Sequence, residues 1–323
     1  MQYILKKEEF PDFFSEVRKE FAFIAPVAGD PAKKVQRTQF QEIEDSADIH
    51  IDINTYFPAK YFFFDKAEEL FAFEGNKVKD PSLDIAQRVI FGLRRCDLVG
   101  IKHQDMVFLD EQPDPFYKAR RDATLLCGLH CKGGDEYCFC QSFDHEDIYD
   151  LMCYDKDDIY VIETGSEKGE EFAKAHLQET EDILTDEDRV TQNIFKLDTT
   201  EIKDHFQDEG WKELADTCLS CGACNHLCPN CHCFTIKDDV NMDLKTGRRI
   251  RNPASCQLRS FTRVAGDHVF RDARVERYKH RIYHQIEYFR DRHGEEFCTG
   301  CGRCIRGCPV RIDWVTKINQ MIQ

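Results

Sequence analysis

Short apolar runs alternate with amphipathic stretches over the first 205 residues of the chain. Residues 88–92 (RVIFG) read as a buried strand, residues 123–128 (ATLLCG) as a second and residues 159–163 (IYVIE) as a third. Runs of this length, rich in β-branched and aromatic residues, are strand signals. RRCD follows the first run directly and leads into a helix predicted around residues 98–106. Strands alternating with helices predict an α/β domain over 1–205, with the strand order left open. An acidic stretch, residues 179–189 (ETEDILTDEDR), reads as a linker or an exposed helix start. Beyond it the pattern changes. Residues 211–217 are predicted as a short helix. Phe270, Val275, Tyr278, Ile282, Ile286 and Phe289 recur mostly at steps of three and four. They form one apolar face of a helix ending near Gly294. The expected C-terminal domain, 206–323, is mainly α-helical.

The chain has 323 residues, 41% of them hydrophobic, which is enough for two globular domains. The longest apolar stretch, residues 21–29, contains a proline and is far too short to span a bilayer. The N-terminal residues lack the apolar run of a signal peptide. A cytoplasmic protein with no membrane span is expected. The net charge is −16 and unevenly placed: residues 241–323 carry 17 Lys+Arg against 9 Asp+Glu, net +8, leaving −24 on the first 240. An acidic chain with no recognition module argues against nucleic-acid binding.

Seventeen cysteines change the picture most. An odd number in a large, unexported chain points to metal ligation rather than disulfides. Cys218, Cys221, Cys224 and Cys228 precede Pro229; Cys298, Cys301, Cys304 and Cys308 precede Pro309. Both sets read C-x2-C-x2-C-x3-C-P. Two-residue gaps let a chain wrap one [4Fe–4S] cubane with three thiolates, and in two-cluster ferredoxins the fourth cysteine ligates the other cluster. The expected pairing is therefore Cys218, Cys221 and Cys224 with Cys308, and Cys298, Cys301 and Cys304 with Cys228. Gly222, Gly300, Gly302 and Gly307 let the backbone approach the sulfides. Structural zinc, the competing reading, favours separated ligand pairs and needs no Cys-Pro ending. The long helical insertion between the motifs suggests a helical, ferredoxin-like dicluster domain. Arginines in the basic C-terminal region suit an anionic cluster, or form a solvated basic face.

Five further cysteines lie before residue 145. Cys96, Cys131, Cys138 and Cys140 form the preferred set for a third [4Fe–4S] cluster. Cys127, in a strand-like run, reads as a packed core thiol, as does Cys153. The competing reading makes all five small buried residues. Cys231, Cys233 and Cys256 stay open. They either shield the neighbouring cluster or belong to a further cluster completed by a non-cysteine ligand or Cys153. His226 and His232 read as hydrogen-bonders near the clusters.

No G-x-G-x-x-G, P-loop, G-x-S-x-G or H-E-x-x-H is present. No catalytic residue is singled out. With FGLRRCDLVGI, DPFYKARRDATLLCGLHC, EYCFCQSF, CLSCGACNHLCPNCHCF, RYKHRIYHQIEYF and CTGCGRCIRGCPVRID in view, residues 60–313 resemble one family. It comprises the iron–sulfur β subunits of soluble sulfhydrogenases, the A subunits of anaerobic sulfite reductase and the equivalent subunits of heterodisulfide-reductase-linked flavin oxidoreductases. The family has proline where this chain has Arg95. The resemblance implies an electron relay of anaerobic metabolism. Its partners would be a FAD- and NAD(P)-binding subunit and a hydrogenase, sulfite reductase or heterodisulfide-reductase-like subunit. The alternative is a self-contained flavin-dependent iron–sulfur oxidoreductase with its active site in the N-terminal domain.

Overall fold

The computed structural model describes residues 1–29, 37–51, 54–181, 183–192, 196–199 and 202–322. Residues 1–59, 85–195 and 299–301 form one compact unit; residues 60–84, 196–298 and 302–323 form a second. The chain thus crosses between units several times.

Unit 1 is built on an eight-stranded sheet. From edge to edge its strands are Gln178–Thr180, Gln2–Lys6, Ile159–Thr164, Leu151–Lys156, Thr124–Leu129, Arg88–Leu93, Ala22–Val27 and Gln39–Glu42. Leu151–Lys156, Thr124–Leu129, Arg88–Leu93 and Ala22–Val27 run parallel, and the outer pairings are antiparallel. Thr124–Leu129 is buried at every position, which is why its sequence is a continuous apolar run rather than an alternation. Helix Arg95–Phe108 follows Arg88–Leu93 almost at once. Helices Pro115–Asp122 and Glu167–His176 start at side-chain caps: Tyr117 N–H donates to Asp114 at 2.8 Å and Gly169 N–H to Ser166 at 3.0 Å. Cys127 and Cys153 sit in the hydrophobic core with their sulfurs 3.6 Å apart, as expected for packed thiols.

Unit 2 combines helices with a sheet. Strands Phe234–Val240 and Thr246–Pro253 pair as a hairpin and extend with Glu68–Glu74 and Lys77–Lys79 into a four-stranded antiparallel sheet. Phe234–Val240 is exposed at all seven positions, so no buried face stamps an alternating pattern on its sequence. The sheet is tied internally by Arg251, whose Nε donates to Glu68 at 2.7 Å, both side chains being buried. Glu68→Ala should lower stability by about 3–5 kcal/mol because it strands a buried guanidinium. A denaturant midpoint within experimental error of the wild type would show the pair to be dispensable. The helices of unit 2 include Gly210–Thr217 and Arg274–Tyr283, which pack together. The helix from Arg274 continues through a π-turn, His284–Tyr288, into Phe289–His293 and ends at Gly294 in the left-handed region.

No helix among the described residues is long and apolar enough to cross a membrane.

Candidate metal centres

The two cysteine motifs adopt matching local geometry. Each leads through a glycine in the left-handed region, Gly222 (φ 77°) or Gly302 (φ 67°), into a single-turn helix, Ala223–His226 or Arg303–Arg306. These two helices pack against one another. One step earlier the motifs again correspond: Ser220 (φ 52°) occupies the left-handed position that Gly300 (φ 66°) fills in the second. The positive φ turns the chain sharply enough to present successive cysteines to a common centre.

Cys218, Cys221 and Cys224 of the first motif line one cavity together with Cys304 and Cys308 of the second. Tyr278, Ile312 and Trp314 form part of its wall. The cavity is open to solvent at its mouth and walled mostly by apolar atoms. Two N–H groups already address its sulfurs: the Ser220 amide to Cys218 at 3.3 Å and the Trp314 indole to Cys304 at 3.3 Å. Hydrogen bonds of this type tune an iron–sulfur cluster.

Arg281, on helix Arg274–Tyr283, also reaches the cavity. It is 4% exposed; Nη2 donates to the Cys224 carbonyl at 3.3 Å, and Nε has no partner. Burial opposes its charge, but the thiols of Cys224, Cys304, Cys231 and Cys228 outweigh it and push its pKa well above the ordinary value. Burial raises the Cys224 thiol to about 12, a neutral group until a cation or metal compensates it. Burial likewise opposes ionisation of Cys228, yet the hydrogen bond from Cys231, with Arg281 and Lys60, lowers it to about 6. A donor set of thiols, an orphaned buried guanidinium N–H and a largely apolar wall fit an anionic iron–sulfur cluster.

The second motif is anchored by the π-turn. Widening the helix at residues 284–288 frees the Gln285 carbonyl, which accepts the Phe297 and Cys298 amides, both at 2.9 Å. Such π-turns occur preferentially at functional sites.

In unit 1, Cys138 and Cys140 flank the fully buried Phe139, whose amide donates to Gly300 at 2.7 Å. The Cys138 thiol lies 3.3 Å from Asp135 and 3.8 Å from the Cys301 carbonyl, and burial pushes its pKa up. Cys96 opens helix Arg95–Phe108 and accepts from Asn54 at 3.7 Å. Cys131 is half-buried, its thiol 3.0 Å from the Gly133 carbonyl. No three of Cys96, Cys131, Cys138 and Cys140 bring their sulfurs within 4.8 Å of one another. His226 bonds Tyr61 at 3.1 Å rather than a cysteine, and His232 faces the Asn230 carbonyl at 3.1 Å.

Several groups at these centres were not singled out from the sequence: Arg281, Gln285, Asn225 and Lys60. Arg281 and Gln285 lie four residues apart, on the helix whose apolar face was read. That spacing was the available signal.

A family model for the 4Fe-4S dicluster domain matches residues 217–312. Over 340 aligned positions the chain is 32% identical to the β subunit of sulfhydrogenase 2 of Pyrococcus furiosus, spanning 99% of this chain and 98% of that one. No solved structure matches the chain. The chain therefore belongs to the sulfhydrogenase β-subunit family of iron–sulfur electron-transfer proteins.

Proposed function

We propose that this chain is the iron–sulfur relay of a cytoplasmic multi-subunit redox complex. It would carry electrons between a FAD- and NAD(P)-binding subunit and a terminal catalytic subunit, whether hydrogenase, sulfite reductase or heterodisulfide-reductase-like. The carrying observation is the cavity in unit 2 lined by cysteines of both motifs. The sulfhydrogenase named for the relative favours a hydrogenase as the terminal subunit.

Cys218, Cys221 and Cys224 with Cys308 hold one [4Fe–4S] cluster; Cys298, Cys301 and Cys304 with Cys228 hold the other. Cys96, Cys131, Cys138 and Cys140 serve a third. A cluster so held supplies one-electron chemistry. The chain itself positions the thiolates, excludes water with Tyr278 and Trp314, and directs N–H groups and the Arg281 charge at the sulfurs. FAD and NAD(P) belong to the partner, because this chain carries no dinucleotide fingerprint.

Anaerobically purified protein should hold about twelve iron on these twelve cysteines, and Cys138→Ser should remove about four. With the flavin subunit present, that variant should still support NAD(P)H oxidation by an artificial dye but not delivery to the natural acceptor. The isolated chain should retain no flavin and oxidise no NAD(P)H. Turnover by the chain alone would instead establish a self-contained enzyme, and zinc in place of iron would end the relay reading.

A further inference from the structure

We propose that Cys231, Cys233 and Cys256 carry a further iron–sulfur cluster in unit 2, separate from the clusters of the two C-x2-C-x2-C-x3-C-P motifs. The proposal rests on the reading of this chain as an iron–sulfur protein. It assigns three cysteines that those motifs leave unused.

The four-stranded sheet brings the three together. Phe234 pairs with Pro253 in the hairpin register, and the Ala254 amide donates to the Cys233 carbonyl at 2.7 Å. That register sets the loop carrying Cys256 beside the Cys231–Cys233 segment, and the Cys233 and Cys256 thiols share a hydrogen bond. Cys231 and Cys256 are buried and Cys233 is half-buried.

Two observations say that these sulfurs are more than packing. First, buried amides aim N–H groups at them. Asn225 Nδ2, 3% exposed, lies 3.6 Å from the Cys231 sulfur and 3.3 Å from that of Cys256. Gln285 Nε2 lies 3.5 Å from Cys231. A neutral thiol is a weak acceptor, whereas sulfurs that ligate iron are regularly hydrogen-bonded. Second, two buried cations stand next to the group without a carboxylate. Lys60, 4% exposed, donates to the carbonyls of Asn225 at 2.8 Å and Cys231 at 2.9 Å. Arg281, equally buried, hydrogen-bonds only the Cys224 carbonyl among the described residues. Burying charge is costly, and an anionic metal–thiolate centre at Cys231 and Cys233 supplies counter-charge beside Lys60 and adds to that of the Cys218–Cys221–Cys224 cluster beside Arg281.

Three cysteines fall short of the four ligands of a structural zinc site. Four thiolates at Zn–S distances of about 2.3 Å lie roughly 3.8 Å from one another. Cys231, Cys233 and Cys256 do not bring all three sulfurs within 4.8 Å of one another. Cys153 lies in the hydrophobic core of unit 1 beside Cys127. Three thiolates are the ligand number of a three-iron cluster, or of a cubane with one iron not held by cysteine.

The experiment compares the full wild-type chain with Cys231→Ala/Cys256→Ala and with the milder Cys233→Ser, all purified anaerobically. Total iron, zinc and the paramagnetic resonance spectrum of the reduced protein are measured. The double variant should lose three or four iron while both signals of the ferredoxin motifs persist. Cys233→Ser should alter a signal distinct from those two, which keeps the test decisive if the double variant fails to fold. Unchanged iron in a soluble double variant, an unchanged spectrum in Cys233→Ser, or loss of one zinc instead of iron would overturn the proposal. If the wild type lacks the ferredoxin-motif signals themselves, the relay reading has failed as well; if it shows them and only the additional signal is missing, this proposal alone has failed.

Discussion

Cys308→Ala should destroy or convert to a three-iron form the cluster held by Cys218, Cys221 and Cys224, although Cys308 is 84 residues from the last of these three and four from Cys304. The spacing argument and the cavity agree on this point. In a C-x2-C-x2-C-x3-C-P motif the fourth cysteine faces away from its own cluster, and Cys308 lines the cavity of Cys218, Cys221 and Cys224. Cys304 lines the same cavity, so lining by itself does not assign each sulfur. Comparing two variants does. In the crossed arrangement Cys304→Ala and Cys308→Ala damage different clusters; in an uncrossed one they damage the same cluster. Paramagnetic resonance of each reduced variant reads this directly. Two identical spectra, both missing the signal of Cys298 and Cys301, would dismiss the crossing.

Arg281→Leu should shift the reduction potential of the cluster at the Cys218–Cys221–Cys224 cavity to more negative values. A reduced cluster carries one more negative charge than an oxidised one, and the buried guanidinium favours that extra charge. A unit charge acting through an effective dielectric of about 20 is worth a few kcal/mol at contact distances. About 1.4 kcal/mol is already a factor of ten in a one-electron equilibrium, or about 59 mV, so the drop should be at least that large. Leucine keeps helix propensity and bulk in Arg274–Tyr283. Arg281→Lys should retain most of the wild-type potential if charge is the cause. A redox titration monitored by paramagnetic resonance decides it: equal potentials in wild type and Arg281→Leu would leave Arg281 a packing residue only.

Strands Arg88–Leu93, Thr124–Leu129 and Ile159–Thr164 and both cysteine motifs were legible because each is written locally. A strand buried on both faces is a continuous apolar run, as in Arg88–Leu93 and Thr124–Leu129. Cluster spacing is a covalent property of consecutive residues. The hairpin Phe234–Val240 and Thr246–Pro253 was not legible, since its first strand is exposed throughout and its second is held by pairing with Glu68–Glu74, more than 170 residues away. Nor was the division of the chain, since residues 60–84 join unit 2 through that same pairing.

By itself, the sequence determined the eight motif cysteines, the crossing expected of their spacing, the α/β character of the N-terminal half and the core role of Cys127 and Cys153. These follow from short-range patterns: residue spacing, apolar run length and left-handed glycines. Only the tertiary structure decided which charges surround the thiols. Lys60 is far in sequence from Cys231, and Arg281 is more than 50 residues from Cys224. The four-stranded sheet, the hairpin register and the π-turn at Gln285 are what bring Lys60, Asn225, Cys256, Arg281 and Gln285 to the same sulfurs. Counter-charge and hydrogen bonding act through space over a few ångströms, and no local pattern in the sequence records which distant residues will meet there.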